Sequence, residues 1–578
     1  MRFFSVPGAS RATAVILTVC ILAQIALAGV ASADYTPSYD FEMQRAIYDV
    51  KVVPEEWKLL LRAEFTAVPA VKNAQKVLLM LPPGRTHNKF HVREVTPSGT
   101  IREIETSGPW RVWELALDQP QTSGDEFTIV IEGEIVTDAN AYPSDRLMAG
   151  VTPEGVYGIS VDFWFWPKDG QRTYRPDPEY RIEVPEGWTI AEPAVEDPYQ
   201  FQLFAGPYQE TQVEVAGTVL DVLYYDPEYL EMIPLWMSQT YETMEPLLGE
   251  PISREWTVVE LPKYHGGGIN IPGLIAFATE MSPHLITAPS SLDELVYHET
   301  AHSWMVLRAI KGWPSALESL TEYKVYLILK DHHDSERAMN FLLDKRQRYL
   351  EIVSDSEELL ISEAVGTAMT PEVRAVRYYK FTWFWHELRY LMGDDNFFAL
   401  LREVYTSWPA RNYQPIEIRD FKRTVNRFTT LDLDQFIDDW LEKTGLAQFA
   451  VDNLKSEPAG TAGQEGRAFT TTFTLNSLGS HHPPKIEVLL QGDGESEVTE
   501  IALEPSENEL SLETTFEVDA VVVDPNNWFL KTELGPSISI MDIVLYSSLG
   551  LAALTALGAI FLRARNAQRA KAGGPPVG

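Results

Sequence analysis

His298-Glu299-Thr300-Ala301-His302 decides how this chain is read. On a helix, residues four apart share a face, so the two imidazoles can bind one Zn²⁺. Glu299 lies beside them, where it can take a proton from a metal-bound water. The chain holds eleven histidines in 578 residues. On such a composition a chance match has odds on the order of a few per cent. A catalytic zinc also needs a third protein ligand and one open position.

The helix around this motif is well marked. Ser291-Leu292-Asp293-Glu294 has a capping-box pattern, with Ser291 as N-cap and Glu294 three residues on. Asp293 and Glu294 suit the positive end of a helix. Leu295, Tyr297, Trp304, Met305, Leu307 and Ile310 supply apolar packing, and Gly312 ends the run. Pro314-Ser315 starts a second helix, which carries Glu318 and Glu322. Fifteen residues separate His302 from Glu318, and nineteen separate it from Glu322. The two acids are one helical turn apart and can both face the site. Glu318 is expected as the third ligand, with Glu322 as the carboxylate that orients a zinc histidine through its free ring N–H. The swapped assignment stays open on spacing.

These residues resemble the gluzincin peptidases related to membrane alanyl aminopeptidase. That family's zinc helix commonly reads HExxH-x-W, matched by His302-Ser303-Trp304. Its third ligand commonly sits in a segment like E-[GS]-[LF]-A-x-Y, matched by Glu318-Ser319-Leu320-Thr321-Glu322-Tyr323. The gap before that glutamate is a few residues shorter here than is usual in the family. A Tyr-x-Lys segment before a helix is also typical, and Tyr378-Tyr379-Lys380 corresponds, sixty residues after Glu318. The resemblance implies that Tyr378 donates a hydrogen bond to the oxyanion of a tetrahedral intermediate, with Tyr379 as the runner-up. It also implies one zinc ion per chain, a peptide substrate and a thermolysin-like α+β catalytic domain.

One segment departs from the family. Its N-terminal-residue peptidases carry G-x-M-E-N before the zinc helix, and the glutamate holds the substrate's free amine. Here Gly266-Gly267-Gly268-Ile269-Asn270-Ile271-Pro272-Gly273-Leu274-Ile275 puts Asn270 at the glutamate's place. An amide cannot pair an ammonium as a carboxylate does. Gly267, Gly268 and Asn270 are expected to line the substrate, along an edge that offers main-chain hydrogen bonds. Glu280 is the alternative acid for an amine.

The ends of the chain indicate topology. Residues 1–33 read as a signal peptide, with Arg2 and Arg11, an apolar core and Ala31-Ser32-Ala33 as cleavage site. An uncleaved anchor is the alternative. Residues 543–562 lack charge over twenty residues, long enough to span a bilayer. Arg563, Arg565, Arg569 and Lys571 follow. Positive charge after the span predicts a cell-membrane protein with an extracytoplasmic ectodomain and a short cytoplasmic tail, 563–578. The only cysteine, Cys20, falls within the signal, so the mature chain has no thiolate zinc ligands. A net charge of −36 argues against nucleic acid as a partner.

The ectodomain is too long for one core. Residues 34–220 are expected as a β-rich domain, on segments such as Lys76 to Met80 and Phe127 to Ile131, with an aromatic cluster at Phe163 to Trp166. Residues 221–450 are expected as the catalytic domain, mostly helical apart from a strand at Glu255 to Leu261. Residues 451–536 are expected as a small β-sandwich. The reading is therefore a multi-domain, membrane-anchored, aminopeptidase-like zinc peptide hydrolase. A binding protein that has lost turnover, and a hydrolase of a non-peptide amide or ester, are the alternatives. Oligomeric state leaves no sequence signal.

Overall fold

Along Lys58–Pro69, burial alternates residue by residue. Leu59, Leu61, Ala63, Phe65 and Ala67 point inward, as the two-residue period of a strand requires. Phe127–Thr137 pairs with this strand and turns Ile129, Ile131 and Ile135 the same way. They belong to a five-stranded sheet, which meets a four-stranded sheet contributing Val77, Leu115 and Leu117 to one core. A third, four-stranded sheet adds Val151, Val156, Leu203 and Ala205. The N-terminal part is thus β-rich, as expected.

The computed structural model describes residues 40–532, except 70, 82–87, 108–109, 122–125, 138–149, 160–165, 168–177, 193, 195–201, 263–266, 272, 279–290, 305–315, 365–369, 408–416, 460–468 and 493. The expected signal peptide, membrane helix and tail lie outside the described residues. So do Glu280, most of the aromatic cluster, Gly312 and Pro314-Ser315. Among the described residues, no helix is long and apolar enough to cross a membrane.

A five-stranded sheet carries the catalytic region. Its order is Gln209–Val215, Thr218–Tyr224, Glu255–Leu261, Leu274–Ala278 and, at one edge, Gly268–Ile271. The three inner strands run parallel. Helix Tyr229–Leu248 makes the crossover that parallel neighbours need. Trp256, Val258, Ile275 and Phe277 face this helix and Leu295 and Val296 of the histidine helix, Leu292–Ala301. Val259, Leu261, Leu274 and Ala276 face the other way, onto Tyr157 and Phe204 of the β-rich part. With both faces covered, a strand reads as a continuous apolar run. That is why Leu274-Ile275-Ala276-Phe277-Ala278, all buried, carries no alternation. The sequence reading missed this strand, while the edge it expected along Gly267 to Asn270 is the neighbouring strand Gly268–Ile271. The strand at Glu255–Leu261 forms as expected.

The sheet also begins earlier than the expected boundary at 220, because Thr218–Tyr224 runs across it. The boundary at 450 likewise falls inside the strand Ala447–Pro458. Beyond it, two three-stranded sheets form a sandwich. Its inner residues Phe473, Leu475, Val488 and Leu490 join one apolar core with the catalytic helices. A buried acid ties the two parts together. Glu387, on helix Phe381–Met392, accepts from the Leu530 N–H at 2.8 Å and from Trp440 Nε1 at 3.3 Å.

Candidate metal centre and active site

The histidine helix starts at Leu292, with Ser291 in the N-cap position. The reciprocal capping box does not form there. Ser291 Oγ instead lies 2.5 Å from Asp293 Oδ1, and no side-chain cap bond is made. The helix ends at Ala301 and tightens into a 3₁₀ turn over His302–Trp304. Trp304 anchors that turn by donating from Nε1 to the Gly249 carbonyl at 2.7 Å.

The two imidazoles meet edge to face, their ring centroids 4.8 Å apart. Their Nε2 atoms are 3.2 Å apart. Glu318 enters from helix Ala316–His332, its Oε2 3.3 Å from His298 Nε2 and 3.8 Å from His302 Nε2. Zinc bonds of about 2.0–2.1 Å at tetrahedral angles place ligand atoms roughly 3.3–3.5 Å apart. The three donors therefore fit a zinc ion, and their two-nitrogen, one-oxygen chemistry suits it. They form the one such group of donors found among the described residues.

The far side of each ring is also held from the glutamate helix. His298 Nδ1 lies 3.1 Å from Glu322 Oε1, at ion-pair distance though outside hydrogen-bond alignment. His302 Nδ1 lies 3.3 Å from the Thr321 hydroxyl. Glu318, Thr321 and Glu322 thus share one helix face, the first toward the metal position and the others behind the rings. The other oxygen of Glu322 accepts from Lys345 Nζ at 2.6 Å, and both side chains are 1% exposed. Lys345 was missed by the sequence reading. Its signal was present: on helix Ser335–Asp355 it stands at a core-facing position between the buried Leu342 and Tyr349.

Electrostatics separate the groups. Burial, with Glu318 and Glu322 nearby, pushes the Glu299 carboxyl up to about 7, against the pull of His298. Burial opposes ionisation of Glu318, but the His298 hydrogen bond and both imidazoles hold it down at about 2. Burial lowers His302 to about 3. The Tyr378 phenol is pushed well above its ordinary value by burial and by Glu318, Glu322 and Glu299. It remains a donor.

Tyr378 sits in a π-helical turn, Ala375–Lys380, that leads into helix Phe381–Met392. Its ring is 6.5 Å from that of His298, and its phenol helps to hold the Glu318 carboxyl low. Tyr379 is buried in the core beside Lys345, 5.8 Å from the ammonium. The geometry therefore brings Tyr378 to the site and Tyr379 to the core.

The edge strand Gly268–Ile271 lies against Glu299. A Cβ at Gly268 would sit 2.5 Å from Glu299 Cγ. Asn270, two residues on and so on the same face, donates from Nδ2 to the Glu299 carbonyl at 2.7 Å. Gly267 takes φ +117°, a region that disfavours other residues, and its carbonyl accepts from the Ala278 N–H. Lys324, fully buried, donates to the Ala301 carbonyl at 3.1 Å. The Asn270 amide, expected to face substrate, is engaged by the histidine helix.

Residues 251–440 match the peptidase family M1 domain. No curated protein matches the chain. This region is thus a gluzincin peptidase domain of the M1 family, with a His298, His302, Glu318 triad for one zinc ion. The chain is a zinc-dependent hydrolase of the metallopeptidase kind.

Proposed function

We propose that the M1 domain serves a membrane-anchored peptide hydrolase whose cleavage does not depend on a free substrate amine. The convergence of His298 Nε2, His302 Nε2 and Glu318 Oε2 beside a buried Glu299 carries this reading. Zinc held there acidifies water and polarises the scissile carbonyl. Glu299 takes the proton from the attacking water as the new C–O bond forms. It then delivers that proton to the leaving nitrogen as the C–N bond breaks. The Tyr378 phenol donates to the carbonyl oxygen as negative charge develops. The free edge of Gly268–Ile271 offers main-chain groups to an extended peptide, with Gly267 and Gly268 leaving room for its backbone. Glu322 orients His298 and Thr321 orients His302.

The same reading takes 1–33 as signal, a β-rich domain from 34 to about 208, a thermolysin-like catalytic domain from about 209 to 446 and a sandwich from 447 to 536, which keeps the strands Thr218–Tyr224 and Ala447–Pro458 whole. Residues 543–562 form the membrane helix and 563–578 the cytoplasmic tail, which places the bulk of the chain outside the membrane. The run of uncharged residues before a basic tail supports this.

The test is a peptide-library digest with the full chain in detergent, read by mass spectrometry, with Glu299→Gln as control and zinc stoichiometry measured alongside. One zinc per chain is expected, with cleavage lost in the control. Acetylating the substrate amine should cost tenfold or less, since Asn270 stands where the family's amine-binding glutamate would be and about 1.4 kcal/mol corresponds to tenfold. Equal cleavage by the control, or a zinc-free protein, would overturn the proposal.

A further inference from the structure

A helix leaves its last four carbonyls without partners inside the helix. The histidine helix passes into a 3₁₀ turn after Ala301, so the carbonyls of Glu299 and Ala301 lie in its last turn, where the regular α bonding stops. Each is met by one side chain from a neighbouring element. Asn270 Nδ2 reaches Glu299 O at 2.7 Å from the edge strand. Lys324 Nζ reaches Ala301 O at 3.1 Å from the glutamate helix. His302 stands immediately after this clamped turn, where α-helix gives way to 3₁₀ turn. The direction in which its ring leaves the backbone depends on how that turn is held.

The edge strand contacts Glu299 twice on one face. Gly268 makes room for the side chain, because a Cβ there would stand 2.5 Å from Cγ and 2.9 Å from Cδ. Asn270 fixes the main chain of the same residue. The alternate residue Ile269 turns to the other side, against the apolar cluster of Leu274 and Ala276. The amide of Asn270 is thus directed away from any substrate lying on the strand's free edge.

We infer that Asn270 is a positioning residue for the base and the metal ligands, with Gly268 and Lys324 as the rest of one cradle, and that it does not read the substrate's end. The inference rests on the zinc-site reading for its consequence but not for its geometry. A carboxylate at position 270 accepts hydrogen bonds only, so it would face the Glu299 carbonyl with no proton to offer. Restoring a glutamate there therefore damages the centre instead of creating an amine anchor.

The test compares Asn270→Glu, Asn270→Ala and Asn270→Ser with the wild-type chain. Losing one hydrogen bond to a main-chain carbonyl is worth about tenfold in an equilibrium. In the zinc-free protein, amide exchange over residues 297–303 is expected to speed about tenfold in Asn270→Ala. Zinc affinity, by chelator competition, should fall about tenfold in Asn270→Ala and further in Asn270→Glu. With Co²⁺ in place of zinc, the visible spectrum should shift. A merely structural role would lower melting temperature and leave that spectrum unmoved. The kcat is expected to fall with KM held within about threefold, equally for free and acetylated peptide. Asn270→Ser keeps a donor on a small side chain and supplies the comparison if Asn270→Ala does not fold. If Asn270→Glu keeps zinc and gains tenfold or more in preference for a free N-terminus, position 270 faces substrate and the inference falls. Unchanged exchange over 297–303 would also overturn it. A wild-type chain that binds no zinc would instead overturn the function proposed above, and the exchange result would still decide the clamp.

Discussion

Glu318 and Glu322 stand one turn apart on the same helix face, and their replacement should produce opposite rankings in two measurements. Glu318→Gln removes a donor atom that lies 3.3 and 3.8 Å from the two ligand nitrogens. Zinc sites of this kind hold their ion by about 10–16 kcal/mol in all. One ligand in three then accounts for about 4 kcal/mol, roughly a thousandfold in affinity. Glu322→Gln acts only through His298, and loss of such a partner costs about tenfold to a hundredfold. Stability without zinc should rank the other way. Glu322 is the buried partner of Lys345, and both side chains are 1% exposed. Neutralising it strands an ammonium in the core, at a cost of about 3–5 kcal/mol. Glu318 is 29% exposed and pairs with the two imidazoles rather than with a lysine or arginine among the described residues, so its replacement should cost the zinc-free protein less, about 1–2 kcal/mol. Chelator competition reads the first ranking and urea unfolding of the zinc-free protein the second. A larger zinc loss in Glu322→Gln than in Glu318→Gln would refute the ligand assignment. Adding Lys345→Met to Glu322→Gln should recover most of the stability and none of the zinc.

Gly268→Ala places a methyl against Glu299 Cγ, so kcat should drop about a hundredfold while zinc content stays at one; an unchanged kcat would mean that the base does not need this gap. Tyr378→Phe removes the phenol donor, and kcat should fall about a hundredfold to a thousandfold with KM little changed; steady-state kinetics on one peptide decides it. Glu387 gives a pH prediction. Burial, helped by Asp524 and opposed by the donors Leu530 N–H and Trp440 Nε1, raises its carboxyl well above the ordinary value. A raised folded-state value favours the protonated form in the fold. Its stabilising contribution is full below the unfolded value of about 4.3 and is lost as pH rises toward the folded value, at up to about 1.4 kcal/mol per pH unit. Glu387→Gln should therefore cost about 1 kcal/mol at pH 5, where one of the two accepted bonds is lost, and less at pH 8. A cost that grows with pH in denaturant titrations would contradict the sign.

Much of the centre was legible because its chemistry is local. His298, Glu299 and His302 lie within one turn, and a turn is what a spacing rule can read. The helical period did not choose between Glu318 and Glu322, since both satisfy it; the resemblance of the Glu318–Tyr323 segment chose Glu318, and the distances to Nε2 and Nδ1 agree. Tyr378 and Tyr379 are adjacent in sequence, and the π-helical turn decides which reaches the site. Asn270 was noticed as the wrong residue for an amine, yet its partner is a main-chain carbonyl that no side-chain pattern reveals. Strand Leu274–Ala278 escaped because burial on both faces erases alternation. The core-facing place of Lys345 was legible, but nothing in the spacing names Glu322 as its partner, nor the Ala301 carbonyl as that of Lys324.

The continuous apolar core between the catalytic helices and the C-terminal sandwich bears on the order in which this protein can be made. A ribosome releases the histidine helix long before it releases Leu530, whose N–H completes Glu387. Until then, helix Phe381–Met392 lacks the surface that Trp528 and Phe529 later cover through Tyr390. The β-rich part, with a core of its own, can close early during synthesis. A nascent chain therefore has the zinc ligands in hand while the packing around helix Phe381–Met392 is still unfinished. The last strand thus completes the packing of helix Phe381–Met392, which follows directly on the turn that carries Tyr378.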